Sequence, residues 1–210
     1  MMQPATLPDI SRTDDPSVVT PPVTITPVSL RQSSALRAAL PGLALAVFTV
    51  LLGFGLGGLF GLNEDIIKRR LAASASAVTA TVYQGDAAAA EPVLAKSWEY
   101  MQRAHLHGGA IGTAAVGLIL VLLMIGATPR AVRVLGIALG AGGLGYSAFW
   151  LWAGFIAPGL GSTGAAKESL RWLAMPSSGA VMLATAAVAF LCVRATLRGH
   201  GDDADPIRSV

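Results

Sequence analysis

Two histidines, two residues apart, stand in the stretch SWEYMQRAHLHGGAIG at residues 97–112. An imidazole together with a thioether suits Cu(I) or a haem iron. Met101 lies one helical turn before His105, and Met175 begins a later apolar segment. The sequence therefore offers His105 with Met101 or Met175 as a candidate cofactor site for copper or haem, and His105 or His107 as a candidate metal ligand. The other interpretation is that no cofactor binds and the histidines form the polar end of a membrane helix.

Helix geometry separates the two histidines. Residues two apart on a helix point about 200° apart, so His105 and His107 are not expected to bind one metal together. One face carries Glu99, Arg103 and His107 at steps of four, where an ion pair between neighbours can form. We expect His105 to face the glycine-rich interior. A haem held by two histidines of the chain is excluded, because the third, His200, lies in a tail predicted on the opposite side.

Long intervals without charge divide the sequence. The chain has 210 residues, of which 53% are hydrophobic and only 13% are charged, whereas soluble domains carry about a quarter charged residues. A helix needs roughly 20 apolar residues to cross a bilayer. Four intervals are long enough, and we predict crossings at residues 38–61, 105–127, 134–157 and 174–194. The predicted fold class is an all-α integral membrane bundle of four transmembrane helices.

The remaining residues divide into two tails and one large loop. Residues 1–35 are rich in Pro, Thr, Ser and Asp, a composition that predicts a disordered cytoplasmic tail. Residues 36–198 form the predicted membrane domain, and residues 199–210 a cytoplasmic C-terminal tail. The loop at 62–104 is predicted to be an extracytoplasmic helical hairpin, with Asn63 as an N-cap and Pro92 in the first turn of its second helix.

Arginines flanking the segments indicate the orientation. With four crossings, one side of the membrane holds both ends of the chain and the short loop between crossings two and three. The opposite side holds the long loop at 62–104, whose basic residues are interspersed with acidic ones. We expect both termini in the cytoplasm. An Ala- and Gly-rich composition with more Arg than Lys suits a bacterial inner (plasma) membrane.

Glycines at helical spacing indicate close helix packing. In lipid, helices associate largely where small residues let their backbones approach. Three segments carry such pairs or triplets, and we predict a tight bundle that can also self-associate. The predicted packing residues are Gly53, Gly57, Gly61, Gly108, Gly112, Gly136 and Gly140.

Several classes of function find no support in the residues. Charged residues inside a membrane mark ion and proton pathways, and none lies within the four predicted crossings except Arg194, the last residue of the fourth. No basic stripe with interleaved aromatic residues favours a nucleic-acid partner. Phosphate-binding loops, C-x-x-C pairs, H-E-x-x-H and G-x-S-x-G motifs are missing from the sequence, so no catalytic residue is predicted.

The strings NEDIIKRRL at 63–71 and SWEYMQRAHLHGGAIG at 97–112 resemble those of small bacterial four-helix membrane proteins, over roughly residues 40–195. This resemblance implies a topology and no activity. The two histidines also resemble the H-x-H helices of proteins related to the main subunit of haem–copper oxidases, over too few residues to transfer ligands.

Three functional hypotheses follow. The first is a non-enzymatic accessory or interaction subunit, whose partners are the lipid bilayer, other membrane subunits or a second copy. The second is a redox, metal- or haem-handling membrane protein with a His/Met site at the outer interface. The third is a small-molecule carrier or channel, which requires four polar side chains to converge: Thr113, Tyr146, Ser147 and Thr185.

Overall fold

The computed structural model describes residues 30–203, with side chains over residues 33–198. This part of the chain is helical and contains no strand. Its helices are α1 (Leu30–Ser76), α2 (Glu91–Met124), α3 (Pro129–Leu160), α4 (Thr163–Ser169) and α5 (Arg171–Asp203), with a 3-10 turn at Ala87–Ala90 before α2. Four helices of the described region, α1, α2, α3 and α5, are long and apolar enough to cross a membrane. The all-α class is thus confirmed, as is the prediction of four helices long and apolar enough to span a membrane.

The helices extend beyond the predicted crossings. All four predicted segments lie within these long helices, except that α2 ends at Met124, before the predicted limit of 127. The helix α1 already begins at Leu30, so residues 30–35 are helical where a disordered tail was expected, and α5 runs on to Asp203. The rest of both predicted tails, residues 1–29 and 204–210, lies outside the described residues.

Residues 62–104 form a helix on each side of a turn, and these two helices adjoin the first and second predicted crossings. The helix α1 bends at Asn63, whose φ of −132° and ψ of 23° are non-helical, and then continues to Ser76. The Asn63 side chain donates to the carbonyl of Leu59 at 3.3 Å, which differs from the predicted N-cap contact. Pro92 occupies the first turn of α2 as predicted. We call residues 64–104, which prolong α1 and α2, the hairpin extension.

The hairpin extension is fastened to the bundle by apolar packing and one hydrogen bond. Leu71 and Met101 are buried together in a cluster that bridges α1 and α2. The Tyr83 hydroxyl, in the connection between these helices, donates to the carbonyl of Pro158 near the end of α3 at 2.8 Å. The connection is therefore held against α3 as well as against its own helices.

The centre of the bundle is α3, which packs against α1, α2 and α5. Its glycines allow this, because a Cβ at Gly142 would lie 2.8 Å from the carbonyl oxygen of Ser177 in α5, and one at Gly154 would lie 2.8 Å from that of Ser97 in α2. By contrast, only 11% of the most apolar window of α5 is buried, against 39% for α3. The helix α5 therefore lies at the periphery.

The predicted packing glycines of α1 and α2 meet at close range, with one exception. A Cβ at Gly53 would lie 2.3 Å from the backbone nitrogen of Gly109, and one at Gly108 would lie 2.8 Å from the Cα of Gly53. Gly112 faces backbone atoms of α1 in the same way. Gly61 differs, because a Cβ there would meet no described atom within 4 Å.

The contact between α1 and α3 depends on a glycine that spacing alone did not identify. A Cβ at Gly42 would lie 2.5 Å from the backbone carbon of Gly136. One at Gly140 would lie 2.8 Å from the carbonyl oxygen of Gly42. Gly136 and Gly140, both predicted packing residues, therefore meet Gly42 across the helix pair.

Candidate functional site

His105 faces α1. Its Nδ1 lies 2.7 Å from the carbonyl oxygen of Gly53. A carbonyl oxygen can only accept, so Nδ1 carries the hydrogen and donates it. In the neutral ring, Nε2 then keeps its lone pair, which is the atom that a metal ion would bind.

Gly57 gives His105 access to this carbonyl. In an α-helix the carbonyl of residue 53 points toward residue 57, one turn further along. A Cβ at Gly57 would lie 2.5 Å from Cε1 and 2.8 Å from Nδ1 of His105. The imidazole therefore occupies the space that a side chain at residue 57 would take.

His107 faces α3. Its Nδ1 donates to the carbonyl of Arg103 on its own helix at 2.9 Å. Its ring centroid lies 5.1 Å from that of Tyr146 and 6.2 Å from that of Trp150. Because His105 contacts α1 and His107 contacts α3, the two imidazoles do not share a site.

The second histidine belongs to a group that we call the aromatic cluster: Tyr100, Arg103, His107, Tyr146 and Trp150. The Arg103 guanidinium carbon lies 5.1 Å from the Trp150 ring and 5.5 Å from the Tyr100 ring, within cation–π range. The buried indole nitrogen of Trp150 has no hydrogen-bond partner among the described residues. The arrangement can hold a cation against aromatic faces, and Arg103 already supplies one.

Sequence reasoning missed this cluster. On α2 its members follow the spacing i, i+3 and i+7, and on α3 Tyr146 and Trp150 are four residues apart. Each spacing places side chains on one helix face. That signal was present in the sequence, but the pairing of these two faces depends on how α2 packs on α3.

The two candidate methionines have surroundings different from those of His105. Met101 is fully buried, and its Cγ lies 2.7 Å from where a Cβ of Gly154 in α3 would be. Met175 lies on the peripheral helix α5, and its side chain is 61% exposed. The contacts of these residues do not bring the three together. Among the described residues, no group of three or more His, Cys, Asp or Glu is arranged to hold a metal ion.

The polar residues that a carrier or channel requires do not share one environment. Ser147 is fully buried and donates to the carbonyl of Gly143 on its own helix at 2.9 Å. Thr113 is exposed and donates to Gly109 at 2.8 Å, and Thr185 is also exposed. Tyr146 belongs to the aromatic cluster. The geometry therefore does not favour a polar lumen built from these four residues.

Two groups of the hairpin extension have shifted pKa values. A hydrogen bond from Lys96 at 2.7 Å lowers the pKa of Glu99, and the charges of Lys96 and Arg103 act in the same direction. The predicted ion pair between Glu99 and Arg103 is present at 4.0 Å. Burial raises the pKa of Tyr83. The Glu99 contacts lie within α2, whereas the Tyr83 contact fastens the extension to α3.

One stretch of α1 lies open. A Cβ at Gly55, Gly58 or Gly61 would meet no described atom within 4 Å. At 100° per residue, these glycines share an arc of about 120° with Phe54 and Leu62, whose side chains are 64% and 86% exposed. We call these five residues the open face of α1.

Comparison with protein-family models, curated proteins and solved structures gives no significant match. The resemblance of the strings at 63–71 and 97–112 to small bacterial four-helix membrane proteins therefore stays a prediction. The function of the chain is accordingly inferred from the geometry of its described residues.

Proposed function

We propose that this chain is a non-enzymatic membrane interaction subunit that binds another transmembrane helix through the open face of α1. In the simplest assembly, the partner is a second copy of the chain. The observation that carries the proposal is the contrast along α1 itself: Gly42, Gly53 and Gly57 lie against neighbouring helices, whereas Gly55, Gly58 and Gly61 lie in open space.

Packing within the monomer gives no reason for glycine on the open face. Glycine in a helix interior is about 1 kcal/mol less favourable than alanine. Close packing against another helix offsets such a cost at the inner glycines, because small residues let backbones approach in lipid. A partner helix seated between Phe54 and Leu62 would give the outer glycines the same role.

Disulfide cross-linking tests the proposal in the membrane. Gly58→Cys, with Cys192→Ser to remove the single native thiol, is expected to form a dimer under mild oxidation in native membranes. Matched controls are Gly117→Cys on α2 and Gly179→Cys on α5, where an added Cβ also meets no atom within 4 Å. Equal cross-linking at all three positions would contradict a specific face. A cross-linked product at Gly58→Cys alone whose mass differs from that of a dimer would show that the partner is another protein and not a second copy.

We also propose that the chain lies in a bacterial inner membrane with both termini in the cytoplasm and the hairpin extension outside. The supporting observation is that segments 33–40, 125–134 and 191–198, at the end opposite the extension, contain five arginines and no Asp or Glu. The test uses two single-cysteine variants in which Cys192 is replaced by Ser and either Thr81 or Arg198 by Cys. In spheroplasts, a membrane-impermeant maleimide should label Thr81→Cys before lysis and Arg198→Cys only after lysis. The reverse labelling would invert the proposed orientation.

A second candidate function is metal or haem handling at His105. The observation that favours it is the hydrogen bond from Nδ1 to Gly53, because ligating histidines commonly donate their other ring nitrogen to a carbonyl or carboxylate. This function predicts copper or a Soret absorption band in purified protein, lost in His105→Ala and retained in His107→Ala. A colourless and metal-free wild-type protein would exclude it.

A further inference from the structure

A cleft of about 460 Å³ opens between the start of α1 and the start of α3, at the end of the bundle opposite the hairpin extension. We call it the arginine cleft. Its lining residues are Ser34, Arg37, Ala38, Pro129, Arg130 and Arg133. Arg130 and Arg133 are three residues apart on α3, so they share a face that meets Arg37 of α1. Three guanidinium groups from two helices thus surround one opening.

No acidic residue lies near the arginines of the cleft in segments 33–40 and 125–134. At the other end of the bundle, Lys68, Lys96 and Arg171 each have a carboxylate partner three or four residues away, whereas Arg69 and Arg70 form no salt bridge with a described side chain. The arginines of the cleft are exposed, and none forms a salt bridge with a described side chain, residues 33–198. Within residues 33–198, no carboxylate neutralises their positive charge.

We propose that the arginine cleft binds the phosphate headgroup of an anionic phospholipid. A guanidinium group presents a planar fork of donors that matches phosphate oxygens in two-point contacts. Basic pockets between transmembrane helices are suited to anionic headgroups, because the charge lies at the level of the membrane surface. The inference does not depend on the open face of α1, which lies further along the helix.

Apolar side chains beside the cleft distinguish a lipid from a soluble phosphate. Leu36 and Leu40 of α1 are 51% and 61% exposed, and Val134 of α3 is 57% exposed. Each lies within one helical turn of a cleft arginine, on a helix that spans the membrane. A ligand that joins a phosphate to acyl chains contacts both surfaces, whereas free phosphate contacts only the arginines.

Lipid retention tests this proposal on the full-length protein. The purified protein is placed in nanodiscs of phosphatidylcholine with a minor fraction of phosphatidylglycerol that has the same acyl chains. It is then released into detergent, and the lipid that stays bound is counted by native mass spectrometry. We expect wild-type protein to retain phosphatidylglycerol selectively. The triple variant Arg37→Gln, Arg130→Gln, Arg133→Gln should retain it about a hundredfold less, since each arginine in contact with the headgroup contributes roughly a factor of five.

The matched control is Arg194→Gln with Arg198→Gln, which removes two exposed arginines from the same end at a neighbouring cleft. Retention by this variant should fall by less than about twofold to threefold. An equal loss per arginine in both variants would indicate diffuse surface charge and overturn the proposal. The proposal would also be overturned if inorganic phosphate, added to protein in phosphatidylcholine alone, raised the midpoint of thermal unfolding as much as phosphatidylglycerol does. If the triple variant loses helical circular dichroism, Arg133→Gln alone is compared with Arg198→Gln in the same assay.

Discussion

His105 of α2 donates a hydrogen bond from Nδ1 to the carbonyl oxygen of Gly53 in α1, across a gap that exists because residue 57 is glycine. This contact joins the polar end of one membrane helix to the backbone of another. It also fixes the imidazole on the side of α2 away from His107. The relationship gives Gly57 and His105 roles in helix packing whether or not a cofactor binds.

Replacement of Gly57 by alanine should therefore destabilise the bundle. The new Cβ would lie 2.5 Å from Cε1 of His105, so the ring must move and the hydrogen bond to Gly53 is lost or lengthened. We expect a loss of about 1–3 kcal/mol in the free energy of unfolding, measured by titration with sodium dodecyl sulfate in mixed micelles.

Gly58→Ala is the control for this variant. Its Cβ enters open space, and alanine favours the helix by roughly 1 kcal/mol. The control should be neutral or stabilising in detergent micelles. Equal destabilisation by the two variants would show that displacement of His105 is not the cause of the loss in Gly57→Ala.

Gly42→Ala should cost more than Gly57→Ala. The Cβ would lie 2.5 Å from the backbone carbon of Gly136, and a backbone cannot move aside as a flexible side chain can. We expect the free energy of unfolding to fall by about 3 kcal/mol or more. The control is Gly117→Ala, whose Cβ enters open space and whose effect should be near zero. A Gly42→Ala variant as stable as the wild type would contradict the close approach of α1 and α3.

Tyr83→Phe should loosen the hairpin extension. The variant loses the 2.8 Å hydrogen bond to Pro158, at a cost of about 0.5–1.5 kcal/mol. Because burial raises the pKa of Tyr83, the folded state favours the neutral phenol. Its contribution is complete below the ordinary tyrosine pKa of about 10 and is lost as pH rises through the raised value.

The measurement for Tyr83 is the midpoint of thermal unfolding from pH 7 to pH 11, with wild type and Tyr83→Phe in parallel. The lysines titrate in both proteins, so the difference isolates the phenol. We expect the gap between the two midpoints to narrow at the alkaline end. A gap that does not change with pH would contradict a raised pKa of Tyr83 in the folded state.

The spacing of charges was sufficient to predict the four membrane helices, because a long apolar run has few alternatives in a bilayer. Helical periodicity also placed His105 and His107 on different faces. Periodicity could not predict the contact between Gly42 and Gly136, because that contact depends on the register between two helices. Met175 was proposed beside His105, yet α5 packs at the periphery of α3, and no local pattern in the sequence specifies that arrangement. Asn63 was predicted to cap a helix, and the backbone is non-helical there, but its side chain donates to Leu59 in the preceding turn.

The most direct test of the proposed function is energy transfer between donor- and acceptor-labelled copies in liposomes, as the protein is diluted with lipid. Wild type should show transfer above random proximity at low protein-to-lipid ratios. Gly55→Leu with Gly58→Leu should reduce it to the random level, whereas Gly117→Leu with Gly179→Leu, which fills open space on other helices, should leave it unchanged. Transfer that persists in the α1 variant, or wild-type transfer that never exceeds the random level, would contradict association of two copies through the open face.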